Sequence, residues 1–237
     1  MPHSRSSDVP SVALLGGRVR VRVPASGGLR PGLDAVVLAA ACPALTGERV
    51  VDLGCGTGAA ALCLAARVPA VQAFGVEADP ALAALAAQGG LPAVCADVQR
   101  FFVTRPFDHV IANPPFYAAG AHTPPPEATR ARALVGAGLE AWARCAARVL
   151  RPGGTLTLIH RPEALPEIVL VLRGRFGAAR MAPLWPRAGA PASRLVVTAV
   201  KGTRGPMVLA PGLVLHEDDG SWTAPTRAVL EDAQALA

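Results

Sequence analysis

Asn113-Pro114-Pro115-Phe116 has the make-up of a clamp for a flat amino group. The Asn113 side-chain oxygen and the Pro114 backbone carbonyl can each accept one N–H, so together they can hold an exocyclic or amide NH2. Such a nitrogen is a poor nucleophile because its lone pair is delocalised. Clamping favours a pyramidal geometry and aims the lone pair at an electrophile, which is catalysis by positioning. Pro114 and Pro115 stiffen the loop. Phe116 offers a ring on which a flipped base can stack, a contact worth about 1–3 kcal/mol. The proton leaves after transfer, when the nitrogen is acidic, so no dedicated base is required.

Upstream lies Asp52-Leu53-Gly54-Cys55-Gly56-Thr57-Gly58. Gly54, Gly56 and Gly58 leave the backbone bare where a strand turns into a helix, which lets a ligand approach closely. Two cofactors fit that turn. Gly54, Gly56 and Ala59 satisfy a dinucleotide fingerprint, and Glu77 lies near where its ribose-binding acid belongs. S-adenosylmethionine fits as well. A carboxylate at Asp52 repels a pyrophosphate but suits the ammonium of a methionine moiety. Asp97 can accept from an adenine amino group and Glu77 from both ribose hydroxyls.

These residues need a scaffold, and alternating strands and helices supply one. Strands are expected at 49–53, 71–77, 93–96, 108–112 and 155–160, with helices at about 34–45, 59–67, 127–150 and 162–173 and one opening at Asp79-Pro80. Arg151-Pro152-Gly153-Gly154 reads as a turn. This alternation implies an α/β fold with a mainly parallel sheet and helices on both faces, where ligands bind beyond the carboxyl ends of the strands. Asp52, Glu77, Asp97 and Asn113 all fall at such ends. Strands at 179–184 and 195–201 have no room for a helix between them and read as an antiparallel pair. A short hairpin over 207–215 and a helix over 225–235 follow. At the front, Arg18, Arg20 and Arg22 alternate with valines in a strand whose cationic face can meet phosphates or merely solvent. Residues 1–11 read as disordered and 12–237 as a single domain.

The chain has 237 residues, 51% of them hydrophobic, and a net charge of +6 carried almost wholly by arginine. Such a surface attracts polyanions, nucleic acid above all. No apolar run reaches the roughly 18 residues of a membrane span, and no metal-ligand spacing is present. The cysteines number five without Cys-x-x-Cys spacing. Cys42, Cys63, Cys95 and Cys145 read as small buried hydrophobes, and a reducing cytoplasm is expected. His109 reads as structural.

The glycine turn with Asn113-Pro114-Pro115-Phe116 resembles class I S-adenosylmethionine-dependent N-methyltransferases. That resemblance implies a doubly wound, Rossmann-like sheet of seven strands with an antiparallel C-terminal strand. More narrowly, Gly32-Leu33-Asp34-Ala35-Val36-Val37-Leu38 and Arg194-Leu195-Val196-Val197-Thr198-Ala199-Val200-Lys201-Gly202 are similar to tRNA1(Val) adenine-37 N6-methyltransferases. In that family the segment around Asp34 helps close the cofactor pocket, and tRNA is the partner implied. Phe116 stands where many relatives have Tyr, so stacking survives and a hydroxyl is lost. Release-factor glutamine methyltransferases share the tetrad, but only about 48 residues precede the first core strand here, too few for their helical N-terminal domain. A ribosomal RNA or DNA adenine methyltransferase, a non-catalytic RNA-binding relative and a nicotinamide-dependent oxidoreductase are the other readings.

Overall fold

The structure is a computed structural model that describes residues 9–25, 31–116 and 138–236. The expectations for residues 1–8, for Tyr117 and for the front of the 127–150 helix lie outside the described residues. Ser11, placed in the disordered tail by sequence, opens a strand.

A two-stranded antiparallel hairpin comes first, β1 (Ser11–Leu14) and β2 (Val19–Arg22). Val19 and Val21 point into the core and Arg20 outward, as the alternation requires. Then come α1 (Leu33–Ala41), β3 (Arg49–Leu53), α2 (Ala59–Arg67), β4 (Gln72–Glu77), α3 (Pro80–Gln88), β5 (Ala93–Cys95) and β6 (Phe107–Ala112). After the undescribed stretch follow α4 (Leu139–Val149), β7 (Leu150–His160), α5 (Leu165–Leu172), β8 (Phe176–Trp185), β9 (Arg194–Lys201), β10 (Val208–Leu209), β11 (Leu213–Val214) and α6 (Ala224–Leu230). Helix α1 stops at Ala41, short of the expected residue 45, because Pro43 cannot continue it.

The large sheet runs β10-β8-β9-β7-β6-β3-β4-β5, with β11 also on β8. Strands β3 to β8 are parallel, and β9 alone runs against its neighbours β7 and β8. The seven strands β3 to β9 make up the expected sheet, with the last of them, β9, antiparallel, and β10 and β11 add two short strands on β8 among the described residues. One sequence-based expectation needs correction. The 207–215 segment is no hairpin: β10 and β11 both pair parallel with β8. The intervening Ala210-Pro211-Gly212 steps along the edge instead of reversing. Gly212 has φ +81°, and a Cβ there would lie 2.0 Å from the Pro183 oxygen, so the tail hugs β8 too closely to fold back.

Arg151-Pro152-Gly153-Gly154 is not a free turn but a bulge inside β7. Phe107 pairs with Leu150 and His109 with Thr155, so five steps on one strand oppose two on the other. Gly154 is required there, since a Cβ would come within 2.8 Å of the Asp108 oxygen.

Each sheet face has its own core. Val50 and Ile111 pack with α1, α2 and the hairpin on one side. Val51, Val110 and Leu53 pack with Trp142, Ala146 and Ile168 of α4 and α5 on the other. Each fully buried residue of this size contributes about 1.5–3 kcal/mol to holding the strands that carry the site. His109 is structural, as expected: its ring bridges Thr155 Oγ1 at 2.7 Å and Glu48 Oε2 at 2.8 Å. Cys95 corrects the cysteine reading, because it is exposed on the outermost strand β5.

Candidate functional site

Leu53 of β3 is in register with Ala112 of β6, so the glycine turn and the Asn113 tetrad leave from adjacent parallel strands at one edge. Neighbouring strands are about 4.8 Å apart, which brings the two segments within one cleft. Glu77 ends β4 beside them, and Asp97 follows β5. All four polar residues placed at strand ends by sequence are therefore brought together.

The glycine turn is built by sterics. Gly54, Gly56 and Gly58 have φ of +65°, +55° and +88°. A Cβ on Gly54 would lie 2.4 Å from Trp142 Cη2, so the Trp142 ring occupies the space that glycine vacates. Gly58 caps α2 without any side-chain hydrogen bond of its own, and in the first turn the Ala61 N–H is met by Asp52. Glu77 holds the loop: its two oxygens accept from the N–H groups of Gly56 at 2.8 Å and Asp79 at 2.9 Å. Each oxygen keeps a lone pair for a further donor. Asp97 accepts from the Gln99 N–H at 2.8 Å, a local turn that fixes its carboxylate.

Asp52 is 3% exposed. Burial pushes its pKa up to about 8, with the nearby Glu77 carboxylate adding to the rise and the Ala61 N–H opposing it. A buried carboxyl with a like charge beside it is an incomplete arrangement, and a cation completes it.

In the tetrad, Asn113 and Pro115 are exposed, Pro114 is buried and Phe116 is half-buried. Three residues not singled out by sequence chemistry surround Phe116. His160, the last residue of β7, meets the ring edge-on, with centroids 5.0 Å apart and planes at 72°. Arg161 donates to the Phe116 carbonyl. Arg194, which opens β9, sets its guanidinium 4.9 Å over the ring centroid. His160 is held below the usual histidine range by burial, although the Arg161 and Pro115 backbones partly offset this, so it is neutral near pH 7. A signal for His160 is present in the sequence: it ends a parallel strand, as Glu77 does. Arg194 gave no comparable signal, because β9 runs backwards and presents its first residue at this edge.

Asp34 stands in the first turn of α1 and faces Arg194, whose Nε lies 3.1 and 3.0 Å from its two carboxylate oxygens. It therefore sits on the Phe116 side of the cleft. Arg18 donates to the Glu231 carbonyl at the end of α6, so at least one of the three hairpin arginines is engaged within the protein.

Among the described residues, four buried side-chain polar atoms lack a hydrogen-bond partner: Thr57 Oγ1, Trp142 Nε1, His160 Nδ1 and Arg161 Nε. All four belong to the glycine turn, to the ring packed on it, or to the two residues beside the tetrad. Orphaned polar groups this concentrated mark a place built for a polar ligand. With Asp52, Glu77 and Asp97 converging there, the donors and acceptors fit S-adenosylmethionine. Among the described residues no three His, Cys, Asp or Glu side chains gather to hold a metal ion, and no helix is long and apolar enough to cross a membrane.

Comparison with known proteins bears on the same region. The family model "Methyltransferase small domain" matches residues 33–182. The tRNA1(Val) (adenine(37)-N6)-methyltransferase of Dickeya chrysanthemi is 25% identical over 220 residues, covering 86% of this chain and 87% of its own. That of Aeromonas hydrophila is 26% identical over 205 residues, covering 82% and 86%. A crystal structure of a predicted O-methyltransferase from Agrobacterium tumefaciens superposes with a TM-score of 0.71 at 29% identity, over 86% of this chain and 98% of that one. The T. thermophilus 16S rRNA N2 G1207 methyltransferase, in complex with AdoMet and guanosine, shares the fold with a TM-score of 0.59 at 20% identity, over 83% and 46%.

Proposed function

The chain belongs to the methyltransferase small domain family, and from that premise we propose that it transfers a methyl group from S-adenosylmethionine to N6 of an adenine in tRNA, at position 37. The observation that carries this reading is the register of β3 with β6, which sets a cofactor turn beside a clamp for a planar NH2. The relatives named for tRNA1(Val) adenine-37 support the choice of acceptor.

When bound, the cofactor supplies an electrophilic methyl carbon on a positively charged sulfur. Asp52 would hold its ammonium, Glu77 its ribose hydroxyls and Asp97 its adenine amino group, while Gly54, Gly56 and Gly58 would allow the close approach. Asn113 Oδ1 and the Pro114 carbonyl accept the two N–H bonds of the target adenine, Pro115 stiffens the loop and Phe116 stacks the base. Held in this way, the N6 lone pair would face the methyl group that the cofactor would supply, and no dedicated base would be needed, because an alkylated amino nitrogen is acidic. Asp34 closes the cleft from the acceptor side.

The direct test supplies labelled cofactor with total tRNA, ribosomal RNA, DNA and a release factor in parallel. Label in N6-methyladenosine at position 37 of tRNA is expected. Label on a glutamine amide or only on another nucleic acid refutes the tRNA reading and leaves the methyltransferase reading standing.

A further inference from the structure

We infer that Arg194, oriented by Asp34, is a positioning residue for the acceptor: it holds the Phe116 ring and confines a stacked base to the opposite side of that ring. The inference rests on the reading of Phe116 as the stacking residue. Three separate contacts converge on Phe116. The guanidinium of Arg194 lies 4.9 Å above its centroid, within the range of a cation–π contact. His160 meets it at 5.0 Å. Arg161 donates to its carbonyl.

Arg194 is itself held. Its Nε lies 3.1 and 3.0 Å from the two oxygens of Asp34, and one Nη donates to the Ser193 carbonyl at 2.8 Å. The two partners are 31% and 20% exposed, so the pair is shielded without being sealed off. A guanidinium tethered by a carboxylate is fixed in place, and here its central carbon sits over the aromatic ring. A base cannot stack where the guanidinium already lies. The Asp34–Arg194 pair also ties the first turn of α1 to the tetrad, across 160 residues of sequence. Ordering the ring before the acceptor arrives lowers the cost of binding it.

A lysine keeps the charge but has neither the plane nor the fork, so Arg194→Lys separates stacking from charge. The exchanged pair D34R/R194D restores opposite charges but sets a carboxylate against the ring, whose face is negative. Steady-state methyl transfer is measured on whichever nucleic acid the unaltered protein labels, with calorimetry of S-adenosylhomocysteine and thermal unfolding alongside. The ring itself is read by 19F NMR of protein grown on 4-fluorophenylalanine, the Phe116 signal being identified by its loss in Phe116→Leu.

In Arg194→Lys, the Phe116 fluorine signal shifts or broadens, acceptor KM rises by about tenfold, and S-adenosylhomocysteine affinity stays within about twofold of the unaltered protein. In the exchanged pair, the unfolding midpoint recovers relative to Arg194→Asp, while acceptor KM does not. An unmoved fluorine signal, an acceptor KM restored by the exchange, or a parallel loss of S-adenosylhomocysteine affinity overturns the inference. Absence of label on tRNA in the unaltered protein overturns only the choice of acceptor, since the fluorine signal still reads the ring.

Discussion

Binding of S-adenosylhomocysteine is expected to expel a proton from Asp52. Burial raises the pKa of this carboxyl to about 8, so at pH 6 it is about 99% protonated before ligand arrives. The ammonium of the bound ligand reverses the preference and returns the group toward the ordinary carboxylate range. About one proton is therefore released per ligand at pH 6, where the ligand's own α-amino group is already charged. Because that proton must leave, affinity falls by roughly 50-fold between pH 8 and pH 6. The sign for stability follows from the same shift. A carboxyl raised above its usual 3.8 stabilises the ligand-free fold most fully below that value, and the contribution is lost as pH rises through about 8. Titration calorimetry in buffers of different ionisation enthalpy counts the protons directly. The slope is expected near one for the natural protein at pH 6 and near zero for Asp52→Asn, which keeps the shape but cannot titrate. A slope near zero in the natural protein, or an equal slope in both, refutes the reasoning.

Asn113→Ala is expected to bind S-adenosylhomocysteine normally and to lose at least about a hundredfold in kcat, since it removes one half of the NH2 clamp; single-turnover methyl transfer with parallel calorimetry checks both. Gly54→Ala forces a methyl to within 2.4 Å of the Trp142 ring at φ +65° and is expected to cost about 1–3 kcal/mol by urea unfolding, with weaker cofactor binding. Glu48 and Asp108 both sit below the ordinary carboxylate range. Burial alone would raise each, but hydrogen bonds outweigh it, from His109 and the Leu45 N–H to Glu48, and from Arg151 and the Arg49 N–H to Asp108. Their contribution is present above their usual pKa values of 4.5 and 3.8 and is lost as pH falls through the lower folded values. Acid unfolding followed by circular dichroism should therefore shift to higher pH in Asp108→Asn.

Much of the site was legible because it obeys one rule. Asp52, Glu77, Asp97 and Asn113 each lie within two residues of a strand's carboxyl end, and a parallel sheet delivers all such ends to one edge. Local chemistry gave the glycine turn and the helix start at Asp79-Pro80. What was hidden depends on contacts that no short window contains. Arg194 reaches Asp34 across 160 residues, and only the reversed direction of β9 brings it to this edge. The 207–215 segment has two apolar pairs around Pro and Gly, which in isolation reads as a reversal. Its true course is set by the free edge of β8, a feature absent from local sequence. The Arg151–Gly154 bulge hides for a related reason, since its turn residues serve to skip register inside a strand that continues.

The tail that follows β11 touches the front of the chain. Gly16 rests against the backbone of Glu231, Arg18 donates to its carbonyl, and the Leu236 N–H bonds to Ala40. A polypeptide made from its N-terminus cannot form these closures until residues 231–236 have left the ribosome. The edge of β8 also waits for β10 and β11, and an uncovered edge invites pairing with other chains. Residues 208–236 therefore act as a clasp that shields both the front hairpin and the β8 edge, so deleting that short segment lays bare more surface than its size suggests.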